Sequence, residues 1–223
     1  RVAEAFARIK TEHGANATAA YFGNPSAHHW GMTTHAPHFL GLLRTKSRFS
    51  ATSVDQLPHQ LVTYLMYGHQ LLVPIADIDR TDFLLVVGAN PLASNGSLMS
   101  MPDAEGRVRA VSARGGRVIV IDPRRTETAK IADEHVFIRP GADAAMLLAM
   151  VEVLFAESLV HEGRLAPMLD GLDAVREATA GFTPESVEAF TGVSAETTRR
   201  IARALASATT GAVYGRLGIS TQR

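Results

Sequence analysis

The sequence predicts an α/β fold, a doubly wound and mostly parallel sheet of Rossmann-like kind, flanked by parts of a second α/β domain. The first observation is three short apolar runs, Phe83–Val87, Arg117–Ile121 and Val136–Arg139, which alternate with stretches of helical spacing. That alternation is the pattern of right-handed βαβ units around a parallel sheet buried on both faces. The second is the set of residues directly after each run: Gly88-Ala-Asn-Pro91, Asp122-Pro-Arg-Arg-Thr126 and Pro140-Gly-Ala-Asp143. Ligands of open parallel sheets sit beyond the carboxyl ends of the strands, where loops and helix starts present backbone N–H groups. Gly and Asp also cap ordinary elements and Arg is common on surfaces, but three such ends in series mark a binding edge.

Along the chain, Val2, Ala3, Phe6 and Ile9 recur at helical spacing and predict a short amphipathic helix ending near His13-Gly14. Ala17 to Phe22 reads as a strand ending in Gly23-Asn-Pro25. Ser26 to Phe49, rich in His and Thr, predicts a helix with irregular flanks. Pro58 to Tyr67 predicts another, opened by proline in its first turn. Residues 102–114 supply a crossover helix. After Gly141, the residues Ala144, Leu147, Leu148, Val151 and Leu154 form one face of a long helix, with Asp143 as a cap and favourable charge at its start. Helices over residues 169–179 and 184–190 come next. Ser194 caps one running to Ala208, with Thr197 standing where a capping box would place Glu. A strand over Gly211–Tyr214 comes last.

Composition narrows the function classes. Lysine plus arginine equals aspartate plus glutamate, 22 of each, so no bulk field recruits nucleic acid or a membrane surface. No apolar run approaches the ~18–20 residues of a membrane span and no signal peptide opens the chain, which leads to the expectation of a cytoplasmic protein. Cysteine is absent, excluding disulfides, thiolate metal sites and an iron–sulfur cluster held by these residues.

Gly88-Ala-Asn-Pro91, Ile121-Asp-Pro-Arg-Arg-Thr-Glu-Thr128, Ala132-Asp133 and Arg139-Pro-Gly-Ala-Asp143 form a series of words. Around it lie Tyr21-Phe-Gly-Asn-Pro25, Phe182-Thr-Pro-Glu185, Thr191-Gly-Val-Ser194 and Val213-Tyr-Gly-Arg-Leu-Gly218. Their order closely resembles the molybdopterin oxidoreductases of the dimethyl sulfoxide reductase family, and the resemblance covers almost the whole chain. Those enzymes, formate dehydrogenases and nitrate reductases among them, carry molybdenum or tungsten in a bis(molybdopterin guanine dinucleotide) cofactor. The resemblance implies an internal piece of a large catalytic subunit. Residues 1–45 would belong to an interrupted α/β domain, 46–208 to an inserted Rossmann-like cofactor-binding domain, and 209–223 to a return strand of the first domain. It also implies a [4Fe-4S] cluster held upstream of Arg1, a further cofactor-binding domain downstream, and a possible electron-transfer subunit as partner.

Under that resemblance the strand ends acquire roles. Gly88 permits close backbone approach, with Ala89 beside it, and Asn90 can donate and accept toward phosphate, ribose or pterin. Asp122, followed by Pro123, can accept from ribose hydroxyls or a guanine N–H edge, and Arg124 or Arg125 can pair bidentately with phosphate. Arg139, Gly141 and Asp143 stand at the third end, by a helix start with free N–H donors. Asn95 and Ser97 follow the first loop and reach either cofactor or local backbone. Asp79, Arg80 and Asp82 read as a solvated turn.

The family's protein ligand to the metal lies upstream of the Gly-Ala-Asn-Pro strand, here in Arg48-Phe-Ser-Ala-Thr-Ser-Val-Asp-Gln56. With no cysteine, Ser50 is the first candidate, Asp55 the alternate and Ser53 the third; a hard oxygen donor suits a high-valent metal. His28, His29, His35, His38, His59 and His69 lack the spacing of a zinc site. His59 and Gln56, near the proposed ligand, are the candidates for substrate-side contacts, with His59 able to move protons. Trp30 is assigned to packing. The implied function is a molybdenum- or tungsten-dependent oxidoreductase acting on a small molecule. Its rival is a nucleotide-binding or electron-transfer subunit of the same fold that has lost the metal. An NAD dehydrogenase is disfavoured because no G-x-G-x-x-G follows a strand.

Overall fold

The computed structural model describes residues 1–23, 26 and 29–220. Asn24, Pro25 and His28, singled out above, lie outside them. From the amino end come α1 (Val2–His13), β1 (Ala20–Phe22), α2 (Trp30–Leu43), β2 (Arg48–Ser50) and α3 (Leu57–Tyr67). Next are β3 (Phe83–Val87), α4 (Ala104–Ala113), β4 (Arg117–Ile121), α5 (Glu127–Ile131), β5 (Glu134–Val136) and α6 (Asp143–Ala156). The chain continues through α7 (Leu172–Thr179), α8 (Pro184–Thr191), α9 (Ala195–Ser207), β6 (Gly211–Gly215) and α10 (Leu217–Ser220). Among the described residues no helix is long and apolar enough to cross a membrane.

The central sheet is parallel, with strand order β5-β4-β3-β6. Its two central strands, β3 and β4 from Val118 onward, are buried on both faces, as uninterrupted apolar runs require. Leu84, Val86, Val118, Val120 and Tyr214 face one core with Val108 and Val111 of α4 and Ala129 of α5. Phe83, Leu85, Val87, Ile119 and Ile121 face the other, with Met146, Met150 and Val153 of α6 and Ile201 and Ala202 of α9. Period-two alternation of the strand side chains separates the two layers.

The predicted β3 and β4 stand as expected, while the third strand moves. β5 ends at Val136, which pairs with Ile121, the last residue of β4, so residues 137–139 have no partner strand to extend along. The Arg139 N–H donates instead to the Thr191 carbonyl at 2.9 Å. Asp143 is the first residue of α6 rather than its cap; the cap position is Ala142, with no side-chain hydrogen bond. Helix α7 begins at Leu172, because Gly171 is left-handed at φ 79° and ends any helical run from before it. Ser194 caps α9 as predicted, accepting from the Thr197 N–H.

Two pairings cut across the domain boundaries expected from the sequence. β6, assigned to the return strand of the outer domain, lies in the central sheet beside β3. β2, assigned to the inserted domain, pairs in parallel with β1. Consecutive strands β3, β4 and β5 thus step outward one way and β6 returns on the other side of β3. That reversal is a topological switch point between β3 and β6. The registers Val87↔Ile121 and Val87↔Gly215 end the three strands at one level, so Gly88, Asp122 and Arg216 leave the sheet together.

Candidate functional site

Beyond those three strand ends lies a cleft of about 1100 Å³. Gly88, Ala89, Asn90 and Asn95 line it from the β3 loop, and Asp122, Arg124 and Thr126 from the β4 loop. Arg216, Leu217 and Gly218 close it from the end of β6, and Asp55 and Gln56 approach from the start of α3.

Local chemistry explains each placement. Gly88 has φ 57°, and a Cβ there would lie 2.9 Å from Gly218 Cα and 2.9 Å from Ile219 N. The converse holds: a Cβ on Gly218 would lie 2.7 Å from Gly88 Cα. The Gly218 N–H donates to the Gly88 carbonyl at 2.9 Å. The close approach that requires glycine at 88 is therefore made by the chain's own backbone. Asn90 is committed to α5: its Nδ2 donates to Glu127 Oε2 at 2.7 Å and its Oδ1 accepts from Thr128 Oγ1 at 2.8 Å. The same hydrogen bond holds the Glu127 carboxyl below the usual carboxylate range. Asn90 thus shapes the loop that lines the cleft. From the other side, Tyr214 Oη donates to the Gly96 carbonyl at 3.2 Å and ties that loop to β6.

Asp122, buried at the end of β4, accepts from the Arg124 N–H at 2.8 Å in an Asx turn. Its backbone carbonyl is bonded by His135 Nε2 at 3.0 Å. A carboxylate keeps acceptor capacity beyond one such bond. Arg124 is exposed on the cleft rim, and Thr126 caps α5 by accepting from the Ala129 N–H.

Of the remaining predicted residues, Asp55 lines the cleft and most of the others fall elsewhere. Pro123 is exposed and does not line the cleft. Arg139 Nη1 donates to the Ala189 carbonyl at 2.7 Å, so this cation neutralises the carboxyl end of α8. Gly141, with φ 87°, turns an exposed corner. Asp143 is buried at the start of α6; burial first, and then the charge of Asp122, push its carboxyl above the usual range. Ser50 is exposed at the end of β2, its hydroxyl engaged with Thr52 Oγ1 at 2.9 Å, and it does not line the cleft. Asp55 does, paired with Arg216 at 2.8 Å. His59 is half-buried and spans to the end of β6: Nε2 lies 3.2 Å from the Gly215 carbonyl and Nδ1 3.2 Å from Ser220 Oγ. Trp30, assigned to packing, is 85% exposed. His29 caps α2 by accepting from the Met32 N–H. Among the described residues no group of three or more His, Asp or Glu could hold a metal by itself.

The family model described as molybdopterin oxidoreductase matches residues 1–213. The chain belongs to this family. It is 38% identical over 146 residues to formate dehydrogenase H of Escherichia coli (strain K12), covering 66% of the chain and 20% of that protein. To the assimilatory nitrate reductase catalytic subunit of Bacillus subtilis (strain 168) it is 28% identical over 226 residues, covering 96% of the chain and 29% of that protein. To the dimethyl sulfoxide/trimethylamine N-oxide reductase of Cereibacter sphaeroides it is 31% identical over 180 residues, covering 76% and 22%. Acetylene hydratase from Pelobacter acetylenicus shares the fold, with a TM-score of 0.75 over 99% of the chain and 29% of the hydratase at 21% identity. The chain thus spans between a fifth and a third of these relatives.

Within this member of the molybdopterin oxidoreductase family, Arg216 and Gly218 are among the cleft residues that sequence reasoning passed over. They lay inside a recognised family word, but β6 was assigned to another domain. The signal that finds them is the strand order, since a switch point places the residues after both flanking strands in the crevice.

Proposed function

We propose that the full protein is a molybdenum- or tungsten-dependent oxidoreductase acting on a small substrate, and that these residues supply part of its molybdopterin guanine dinucleotide site. The observation that carries this is the convergence of the Gly88, Asp122 and Arg216 strand ends on one cleft at the switch point. Its volume exceeds the roughly 300–1,000 Å³ of ordinary small-molecule pockets, as a dinucleotide-sized group requires. The donor set fits: exposed Arg124 suits a phosphate, Asp122 suits ribose hydroxyls or a guanine edge, and loop N–H groups suit the pyrophosphate. When bound, the metal centre supplies the electron transfer, passing between its tetravalent and hexavalent states. The protein residues position the dinucleotide, exclude water from the sheet edge and hold an oxygen donor at the cleft.

For that donor we favour Asp55 over Ser50 and Ser53, because Asp55 lines the cleft and the Ser50 hydroxyl is turned to Thr52. The bis-dinucleotide form of the cofactor, an upstream [4Fe-4S] cluster, an electron-transfer subunit and the remaining domains of the polypeptide belong to the same reading. So does the division in which the central sheet and its helices form the cofactor-binding domain, with β1 and β2 at the margin of its neighbour.

The test is metal analysis of the full-length protein expressed with molybdate, and separately with tungstate, in a host that makes the cofactor. Stoichiometric molybdenum or tungsten with extractable guanine dinucleotide is expected. Fully matured protein containing neither metal overturns the reading in favour of the metal-free subunit.

A further inference from the structure

The segment after β6 is fixed to the sheet on both sides of Arg216. Gly215 is the last residue of β6, in register with Val87. Two residues beyond Arg216, Gly218 crosses Gly88 and donates to its carbonyl at 2.9 Å. The Arg216 backbone is therefore held by the most buried part of the fold. Asp55 is held far less well by its own surroundings. It comes after a single 3₁₀ turn, Ala51–Val54, and precedes α3, with its N–H donating to the Thr52 carbonyl at 3.2 Å. The firm element thus presents a guanidinium to a carboxylate on the less supported one, at 2.8 Å and with Arg216 only 15% exposed.

His59 makes a second attachment to the same segment, four residues after Asp55. The Gly215 carbonyl can only accept, so Nε2 carries the proton there, and in the neutral ring Nδ1 accepts from the Ser220 hydroxyl. With both ring nitrogens engaged by residues 215–220, the imidazole is a brace between α3 and the end of β6.

We infer that Arg216 is a positioning residue that aims the Asp55 carboxylate into the cofactor cleft, and that His59 braces this arrangement rather than moving protons. The inference rests on the proposed function, in which Asp55 is the oxygen donor nearest the metal. A bidentate-capable guanidinium on a fixed base sets the direction of a carboxylate as well as its charge, which a lysine on the same base does less well.

The experiment uses full-length protein loaded with molybdenum, partly reduced with dithionite, and read by electron paramagnetic resonance of the pentavalent metal, with metal content measured in parallel. Arg216→Gln is expected to keep wild-type metal content and to shift the signal's g values, as Asp55→Asn does. The double variant is expected to go no further than Asp55→Asn alone. Arg216→Lys is expected to give a smaller shift in the same direction. A wild-type signal from either Arg216→Gln or Asp55→Asn overturns the inference, as does a loss of metal with the signal of the loaded fraction unchanged. If Arg216→Gln gives no soluble protein, Arg216→Lys carries the test, and an unmoved signal from it overturns the inference. Wild-type protein lacking metal removes the proposed function itself, a result distinct from a loaded wild type whose signal ignores Arg216.

Discussion

The ends of β3 and β5 carry the same vocabulary, a glycine with positive φ accompanied by Asn or Asp, yet only one of them opens on the cleft. At β3, Gly88 crosses Gly218 and the adjoining loop lines the cavity. At β5, Arg139 is turned onto the carboxyl end of α8 and Asp143 is buried at the start of α6. Position in the sheet accounts for the difference. β3 is flanked on both sides and adjoins the switch point, whereas β5 is a three-residue edge strand that stops where β4 stops. Residue types at a strand end state what could bind; strand order decides whether anything is there to be bound.

The largest expected effect comes from the two glycines. Gly88→Ala forces a Cβ into the Gly218 backbone at a left-handed φ, and the added strain and overpacking are expected to cost about 2–4 kcal/mol. Gly141→Ala carries the left-handed penalty at an exposed corner, about 1–2 kcal/mol. Denaturant midpoints and cofactor content of the two variants measure the contrast. Equal losses, or cofactor loss in Gly141→Ala at unchanged stability, would break the distinction between the two ends.

The arginines cross over in the opposite sense. Arg124→Ala is expected to weaken cofactor retention about tenfold to a hundredfold, the scale of one hydrogen bond to a charged group at about 1.5–3 kcal/mol, with stability unchanged. Arg139→Ala is expected to leave retention unchanged and to cost about 1 kcal/mol of stability by uncovering the carbonyls at the end of α8. Retention assays after gel filtration, beside thermal melts, separate the two. A retention defect in Arg139→Ala returns it to the site.

Much of the fold was legible. The runs at 83–87 and 118–121 are apolar throughout because both faces of a central parallel strand are covered, and no other element reads so plainly. Arg124 and Asp122 were legible for the same reason, as they sit directly behind such a run. What escaped was whatever depended on long-range pairing. Whether β6 lies beside β3 or in another domain is invisible in Gly211–Gly215 itself, and with it went Arg216. Ser50 and Asp55 are five residues apart and both offer a hard oxygen donor. Only the turn between them, which ties Ser50 to Thr52 and leaves Asp55 facing the end of β6, separates their roles.

Asp143 offers the finest test, because it links the β5 end to the β4 end electrostatically. Burial and the Asp122 charge raise its carboxyl above the ordinary value of about 3.9. The native state then holds a proton that the unfolded chain has released, so stability falls as pH rises from the ordinary value through the native one. The penalty is complete above that window and vanishes below it. Asp143→Asn removes it but also forfeits the attraction of a carboxylate for the start of α6, about 0.3–1 kcal/mol. The variant should therefore gain stability relative to wild type as pH rises through the window, with a net difference at neutral pH of about 1 kcal/mol or less in either direction. Urea titrations from about pH 4 to neutrality track the change. A difference that does not vary with pH removes the electrostatic link. If Asp143→Asn instead lowers cofactor retention at unchanged stability, the third strand end faces the cofactor after all, and the contrast between β3 and β5 fails at its most buried residue.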